Sequence, residues 1–207
     1  MNGLFGNASQ LIDLFLGSNS QEQQLAQRAD VSTSDFAKVA ALGLPIILKQ
    51  INRNTQSDAG LGSLVDALTK HQDVSQYQSP EEMTQHVDPQ DGDKILGHVF
   101  ETKQQEENIY QKIGNIIGID EAAVKRVMIL LAPIVLKYLA DRQRNQNLDQ
   151  RGVQRETNVA VEEVNDRLQK QNGGVIGDVL SNILKGNSTS KPQQSGSIVG
   201  NILDYFS

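Results

Sequence analysis

Cysteine is absent from this 207-residue chain, and several other residue types are scarce. Without cysteine the chain has no disulfide, no thiolate nucleophile and no cysteine-ligated zinc or iron–sulfur site. Tryptophan is also absent and aromatic residues make up only 4%, so a core built from the 38% of hydrophobic residues must be mainly aliphatic. The three histidines form no HExxH pair, and the glycines form no nucleotide-binding loop. We therefore predict a protein that is not an enzyme, with no catalytic residue, no cofactor and no metal.

The chain also lacks a long apolar run and an excess of positive charge. No apolar stretch approaches the ~20 residues of a membrane-spanning helix, and the first apolar stretch is interrupted by Asp13, which argues against a signal peptide. The net charge of −6 gives no global attraction to nucleic acid or to an anionic membrane. Seven basic residues are interpreted as a solvated helix face: Lys125, Arg126, Lys137, Arg142, Arg144, Arg151 and Arg155. We expect a cytoplasmic protein that binds no nucleic acid.

An internal repeat is the strongest positive signal. Residues 36–51 read FAKVAALGLPIILKQI and residues 124–139 read VKRVMILLAPIVLKYL, with Pro45 and Pro133 standing 88 positions apart. At this offset six pairs are identical: Val39/Val127, Leu42/Leu130, Pro45/Pro133, Ile46/Ile134, Leu48/Leu136 and Lys49/Lys137. The repeat predicts two similar helical subdomains, each centred on a buried, proline-kinked helix. Gly43 offers an alternative in the first copy, where one helix would end and Pro45 would begin the next.

The start of each proline helix is repeated as well. Ser32 and Asp120 stand at equivalent positions and are suited to capping the first turn with a side-chain oxygen. Helices are predicted upstream, over 21–29 and over 103–117, with Gly118 ending the second. Further helices are predicted over 58–71, from Ser79-Pro80, and from Asp88-Pro89. No strand pattern is present, so the fold class is all-α and multihelical, with a helical C-terminal extension.

Four of these segments resemble the YidB-like bacterial family, a domain of unknown function. They are ALGLPIILKQI (41–51), GLGSLVDAL (60–68), DGDKILGHVF (91–100) and LLAPIVLKYL (130–139). The resemblance covers roughly residues 5–142. It implies a multihelical fold with two similar subdomains, and it implies no activity, cofactor or catalytic residue.

The C-terminal third differs in character from the rest. We divide the chain into a double-repeat helical domain (1–142), a polar helical extension (143–172) with a thin apolar stripe, and short apolar helical motifs (173–207) joined by a flexible linker (185–196). The motifs GVIGDVLSNIL (174–184) and SIVGNILDYF (197–206) align with each other, and GLFGNASQLIDLF (3–15) is a looser relative. Short helices of this kind need a surface to bury against.

These motifs carry the functional prediction. Ten apolar residues are the predicted interaction anchors: Val175, Ile176, Val179, Leu180, Ile183, Ile198, Val199, Ile202, Leu203 and Phe206. We predict an interaction protein whose partner is another copy of itself or another protein, with packing on its own core left open. One alternative is a peripheral cell-envelope protein at a membrane surface, which is less favoured because the motifs lack basic residues. A second alternative is a small-molecule-binding or enzymatic role in the seam between the subdomains.

Overall fold

The computed structural model describes residues 3–17, 20–71 and 77–172, together with Val179 and Ile183. These described residues form nine α-helices and no strand. In chain order the helices are α1 (Ser9–Leu16), α2 (Ser20–Ala29), α3 (Thr33–Asn54), α4 (Asp58–Lys70), α5 (Pro80–Gln85), α6 (Pro89–Val99), α7 (Lys103–Ile117), α8 (Glu121–Gln146) and α9 (Gln150–Asn172). The predicted all-α, multihelical fold is confirmed.

The predicted capping residues begin the two proline helices. Ser32 Oγ accepts a hydrogen bond from the backbone N–H of Asp35 at 3.0 Å. At the equivalent position, Asp120 Oδ1 accepts from the backbone N–H of Ala123 at 2.7 Å. Each bond satisfies a first-turn donor that has no partner within its helix. The repeat thus preserves both the helix and the group that starts it.

Both proline helices run through their proline without a break. Pro45 lies inside α3 and Pro133 lies inside α8, and both are buried. The alternative that one helix ends at Gly43 and another begins at Pro45 is therefore wrong. Leu48 and Leu136, the equivalent leucines that follow the prolines, are 0% and 3% exposed. The two repeated segments form the centre of one aliphatic core.

The two halves of the chain cover each other reciprocally. The proline helices α3 and α8 pack together, and the helix that follows each of them packs mainly on the other half: α4 on α8, and α9 on α3. The preceding helices follow the same rule, because α2 contacts α8 and α7 contacts α3 in addition to their own proline helices. The arrangement approximates a two-fold relation. Neither half encloses its own proline helix, so the core is shared between them.

The polar helix α9 contributes one apolar stripe to this core. Val153, Ala160, Val164 and Leu168 are each at most 1% exposed. The helix packs on α3 and α1 with this stripe, while most of its other described side chains are polar. The predicted stripe of the extension is therefore a buried face.

Candidate functional site

The titratable side chains that are typical of catalytic and metal sites are dispersed in the described part of the chain. Among those residues no group of three or more histidine, aspartate or glutamate side chains could hold a metal ion. Asp88, Asp91 and Asp93 lie close in sequence but have separate roles. Asp88 Oδ1 caps α6 by accepting from Gln90 N at 2.9 Å, and Asp93 pairs with Lys125 at 2.8 Å. Asp91 lies 3.7 Å from His71 Nε2.

An open cleft of about 760 Å³ lies between α4 and α6. Five buried apolar residues line the cleft and are called its floor: Ile51, Ile95, Val99, Phe100 and Leu136. Small or half-buried residues line its walls, namely Gly60, Ser63, Leu64 and Ala67 on the side of α4 and Gly97 on the side of α6. The cleft therefore combines an apolar floor with walls that leave room for an additional apolar group.

Charged side chains lie at the edge of the same cleft, and several of them are paired. The contact between His71 and Asp91 is one example. Glu101 pairs with Arg53 at 3.1 Å, although both side chains are more than half exposed. Exposed pairs of this kind contribute about 0–1 kcal/mol to stability. The charges give the edge of the cleft a mixed sign, so they do not select an anionic or a cationic ligand.

A second site holds the N-terminal segment, and the sequence patterns do not predict it. The carboxylate of Asp141, near the end of α8, accepts hydrogen bonds from Leu4 N at 3.0 Å and from Phe5 N at 2.9 Å. Glu163 on α9 accepts from Ala8 N at 2.8 Å. Phe5 is 2% exposed and its ring meets that of Tyr138 edge to face, with centroids 5.5 Å apart. Residues 4–8 are thus fixed by backbone hydrogen bonds and by an aromatic contact.

A buried polar network supports this N-terminal site. Glu156 Oε1 accepts from Tyr138 OH at 2.9 Å and from Arg142 Nε at 2.7 Å, and Arg142 also donates to the carbonyl of Gly6 at 2.7 Å. Burial, together with the adjacent Glu156 carboxylate, raises the pKa of Tyr138. Burial is the largest single influence on Arg142 and lowers its pKa. The hydrogen bond to Glu156 and the charges of Glu156 and its neighbours together outweigh burial, so the pKa of Arg142 is raised. The phenol therefore stays neutral and the guanidinium stays charged.

The basic residues between 125 and 155 do not form one solvated face. Lys137 is 6% exposed, and its ammonium lies 5.3 Å from the centre of the Tyr77 ring. Arg142 belongs to the buried network with Glu156, and Arg126 Nε donates to the carbonyl of Ala29 at 2.7 Å. The interpretation as a solvated face is therefore wrong for Lys137 and Arg142, whereas the side chain of Arg126 is 41% exposed. Their aliphatic stems and charged ends join α8 to neighbouring segments of the chain.

Two of the ten predicted anchor residues lie within the described part of the chain, and both are buried. Val179 is 6% exposed and Ile183 is 3% exposed, and both belong to the hydrophobic core. The carbonyl of Ile183 accepts a hydrogen bond from Lys112 Nζ on α7 at 3.0 Å. The other eight lie outside the described residues: Val175, Ile176, Leu180, Ile198, Val199, Ile202, Leu203 and Phe206. At Val179 and Ile183 the first motif thus packs on its own chain.

The model of a family of bacterial proteins of unknown function (DUF937) matches residues 4–142. The chain belongs to this family. The membership confirms the resemblance to YidB-like proteins that the four sequence segments indicate. The match includes α3 and both buried prolines and ends within α8, so helix α9 and the two C-terminal motifs lie beyond the DUF937 match. No curated protein and no solved structure matched the chain.

Within the described ranges, no single helix is both long enough and apolar enough to cross a membrane. The pair α2 and α3 reaches the required length and composition only when taken together, and the two are bent by 92° at the break between them. Most of α3 is buried in the core, as in many helices that pass the same test.

Proposed function

We propose that this protein is a non-enzymatic helical interaction protein that associates with itself through its second C-terminal motif, residues 197–206. The supporting observation is the polar character of the described surface. Among the described residues the one exposed large apolar side chain is Val159, at 41% exposure. A single exposed valine is too little apolar area for a stable interface, which buries about 800 Å² on each partner. At least one side of an apolar interface must therefore come from another part of the chain.

Residues 197–206 supply those contacts. The anchors in this segment are Ile198, Val199, Ile202, Leu203 and Phe206. Burying each of them would contribute about 1.5–3 kcal/mol before the cost of ordering the segment is subtracted. The first motif is a weaker candidate, because Val179 and Ile183 already pack on their own chain. The association is therefore assigned to the second motif.

Removal of residues 186–207 tests the proposal. The mass of the full chain and of the shortened chain is measured by light scattering over a range of concentrations. We expect the full chain to form a species heavier than 22.7 kDa and the shortened chain to remain at its monomer mass. The matched control replaces Gln193 and Gln194 of the linker by serine, which should leave the association unchanged. A monomer mass for the full chain and the shortened chain alike would contradict self-association.

The cleft between α4 and α6 favours a second candidate, a small-molecule ligand bound between the two halves. Its volume of about 760 Å³ falls within the range of small-molecule sites. Binding sites of that class place a few convergent polar groups around the ligand, whereas the floor of this cleft is apolar. A thermal-shift screen of the full chain with polar metabolite classes distinguishes the two proposals. Stabilisation by a ligand would favour the second candidate.

A further inference from the structure

The cleft is the place where the reciprocal packing of the two halves is broken. By order along the chain α1 corresponds to α6, and α9 corresponds to α4. Helix α1 packs closely on α9, whereas α6 does not pack closely on α4, and the cleft lies between them. One interface is therefore closed in the first pair of helices and open in the second. The open interface has room for an additional segment.

One side of the cleft is set by the close approach of α6 to α8, and the other side is half exposed. A Cβ atom at Gly92 on α6 would overlap the backbone carbonyl oxygen of Ile129 on α8. This glycine lets α6 lie directly on α8. Leu64 and Ala67 on α4 remain half exposed, although they pack against the core from one side. Their free sides face the cleft together with Gly97.

The second C-terminal motif resembles α1, the helix that packs on α9, and α9 is the counterpart of α4. Residues 202–206 read ILDYF, and residues 11–15 in α1 read LIDLF. The two segments share an aspartate and a terminal phenylalanine, and every other position is a large hydrophobic residue in both. In α1 the four hydrophobic residues are buried: Leu11, Ile12, Leu14 and Phe15. The chain therefore carries a second sequence of the kind that packs on α9, and α4 is the helix equivalent to α9.

The length of chain before this motif allows it to reach a neighbouring molecule. Ile183 is fixed on α7 through Lys112, and residues 184–196 follow before the motif begins. Those 13 residues span up to about 45 Å when extended, at about 3.3–3.6 Å per residue. Their composition is that of a flexible linker. A span of this length exceeds the diameter of a small domain, so the motif is not restricted to its own molecule.

We propose that residues 197–206 of one copy dock in the cleft between α4 and α6 of a second copy. This inference rests on the proposed self-association and names the surface that receives the motif. Each copy carries one motif and one cleft, so a reciprocal exchange closes a symmetric dimer. Phe206, Leu203 and Ile202 contact the apolar floor of the cleft. The half-exposed wall residues Leu64 and Ala67 are covered in the dimer.

A photo-crosslinking experiment on the full chain locates the motif. Phe206 is replaced by p-benzoylphenylalanine, and unlabelled protein is mixed with ¹⁵N-labelled protein before illumination. We expect cross-links from position 206 to peptides of α4 and α6, with a large share joining a labelled chain to an unlabelled one. Cross-links confined to single chains would overturn docking on a second copy. Cross-links to other surfaces would overturn the assignment of the cleft.

Two matched glycine variants test the cleft independently. The surroundings of Gly97 and Gly62 are both open, since a Cβ atom at either would meet no other atom within 4 Å, but only Gly97 is among the residues that line the cleft. Gly97→Tyr should fill the cleft and raise the midpoint concentration of association by about tenfold or more, whereas Gly62→Tyr should leave it unchanged. Circular dichroism checks that both variants remain helical.

Different experimental results would contradict the cleft as the docking site and self-association itself. If deletion of residues 186–207 abolishes association while Gly97→Tyr has no effect, self-association stands. The motif then docks on a surface other than the cleft. If the full chain is a monomer at every concentration, the proposed function fails and the inference fails with it. Equal effects of Gly97→Tyr and Gly62→Tyr would also overturn the cleft as the docking site.

Discussion

Gly43 on α3 lies against Leu131 on α8, and the two residues occupy the same position in the two repeats. A Cβ atom at Gly43 would lie 3.3 Å from Leu131 Cδ1 and would overlap the sulfur of Met128. The proline helices therefore cross where a residue of one repeat meets its own counterpart. Because the space there accommodates one large side chain, the counterpart must be small. Glycine at 43 is explained by this crossing and not by a need to end the helix.

The first prediction concerns Gly43→Ala. In an exposed helix this change would stabilise the protein by about 1 kcal/mol, because alanine has the higher helix propensity. At the crossing, the new methyl group must displace Met128 and Leu131, and overpacking of this kind costs about 1–3 kcal/mol. We expect a net loss of stability in urea unfolding.

Gly62→Ala is the matched control for this prediction. Gly62 also lies inside a helix, but a Cβ atom there meets nothing within 4 Å. The change should therefore stabilise the protein by about 0.5–1 kcal/mol. Combining Gly43→Ala with Met128→Ala should cost less than the sum of the two single changes, because the smaller residue makes room for the methyl group. Equal effects of alanine at positions 43 and 62 would show that the helices do not meet closely at Gly43.

The second prediction compares the two equivalent caps. Ser32→Ala and Asp120→Ala each remove one side-chain acceptor from the first turn of a proline helix. Each change should lower the free energy of unfolding by about 1 kcal/mol. Ser63→Ala, inside α4, serves as the control and should change stability by at most about 0.5 kcal/mol. Chemical denaturation measures the stability of all three variants. A cap variant as stable as the control would show that its capping hydrogen bond does not stabilise the protein.

The third prediction concerns the carboxylate that holds the N-terminal segment. Asp141→Ala leaves the N–H groups of Leu4 and Phe5 without their acceptor. Hydrogen bonds to a buried charged group contribute about 1.5–3 kcal/mol, so the loss in stability should fall in that range. Hydrogen exchange of the Leu4 and Phe5 amides should become much faster. Asp66→Ala, at an exposed position of α4, should have little effect on either measurement.

The fourth prediction is a fall in stability at high pH. Burial and the hydrogen bond to Glu106 raise the pKa of Tyr110, and burial together with Glu156 raises the pKa of Tyr138. The folded state therefore holds both phenol protons at a pH where the unfolded chain loses them. The stabilisation from these neutral phenols is complete below the unfolded pKa of about 10 and is lost as the pH rises above it.

Tyrosinate absorption and circular dichroism, recorded together during an alkaline titration, check this fourth prediction. Tyr110→Phe and Tyr138→Phe should each remove absorption only from the part of the titration that accompanies unfolding. A loss of absorption while the helical signal is still native would show that the phenol ionises in the folded state.

Local sequence features predict most of the helices. The capping residues Ser32 and Asp120, proline at the first turn of α5 and α6, and Gly118 at the end of α7 act over a few residues, so a sequence pattern can identify them. Helix α7 begins and ends at the predicted residues, Lys103 and Ile117. The buried apolar stripe of α9 is likewise predicted by the spacing of its apolar residues along the sequence.

Long-range polar contacts escaped prediction for a physical reason. Asp141 meets Phe5 across 136 positions of the chain, and no local pattern shows that a carboxylate at the end of α8 will accept backbone N–H groups from the N-terminus. The buried positions of Lys137 and Arg142 likewise depend on how α8 meets the rest of the molecule. A signal was nevertheless present, because Asp141 and Lys137 continue the apolar spacing of α8 where solvated charges would be unusual.

The mutual covering of the proline helices bears on the history of the chain. A protein that ended after α4 would expose the side of its proline helix that α9 covers, and its α4 would lack the helix on which it rests. Two copies of such a protein would satisfy both needs by pairing symmetrically. The present architecture is what gene duplication and fusion of an ancestral homodimer would produce. In such a fusion the two former subunits are free to diverge, and residues as different as Gly43 and Leu131 would come to face each other at the former dimer interface.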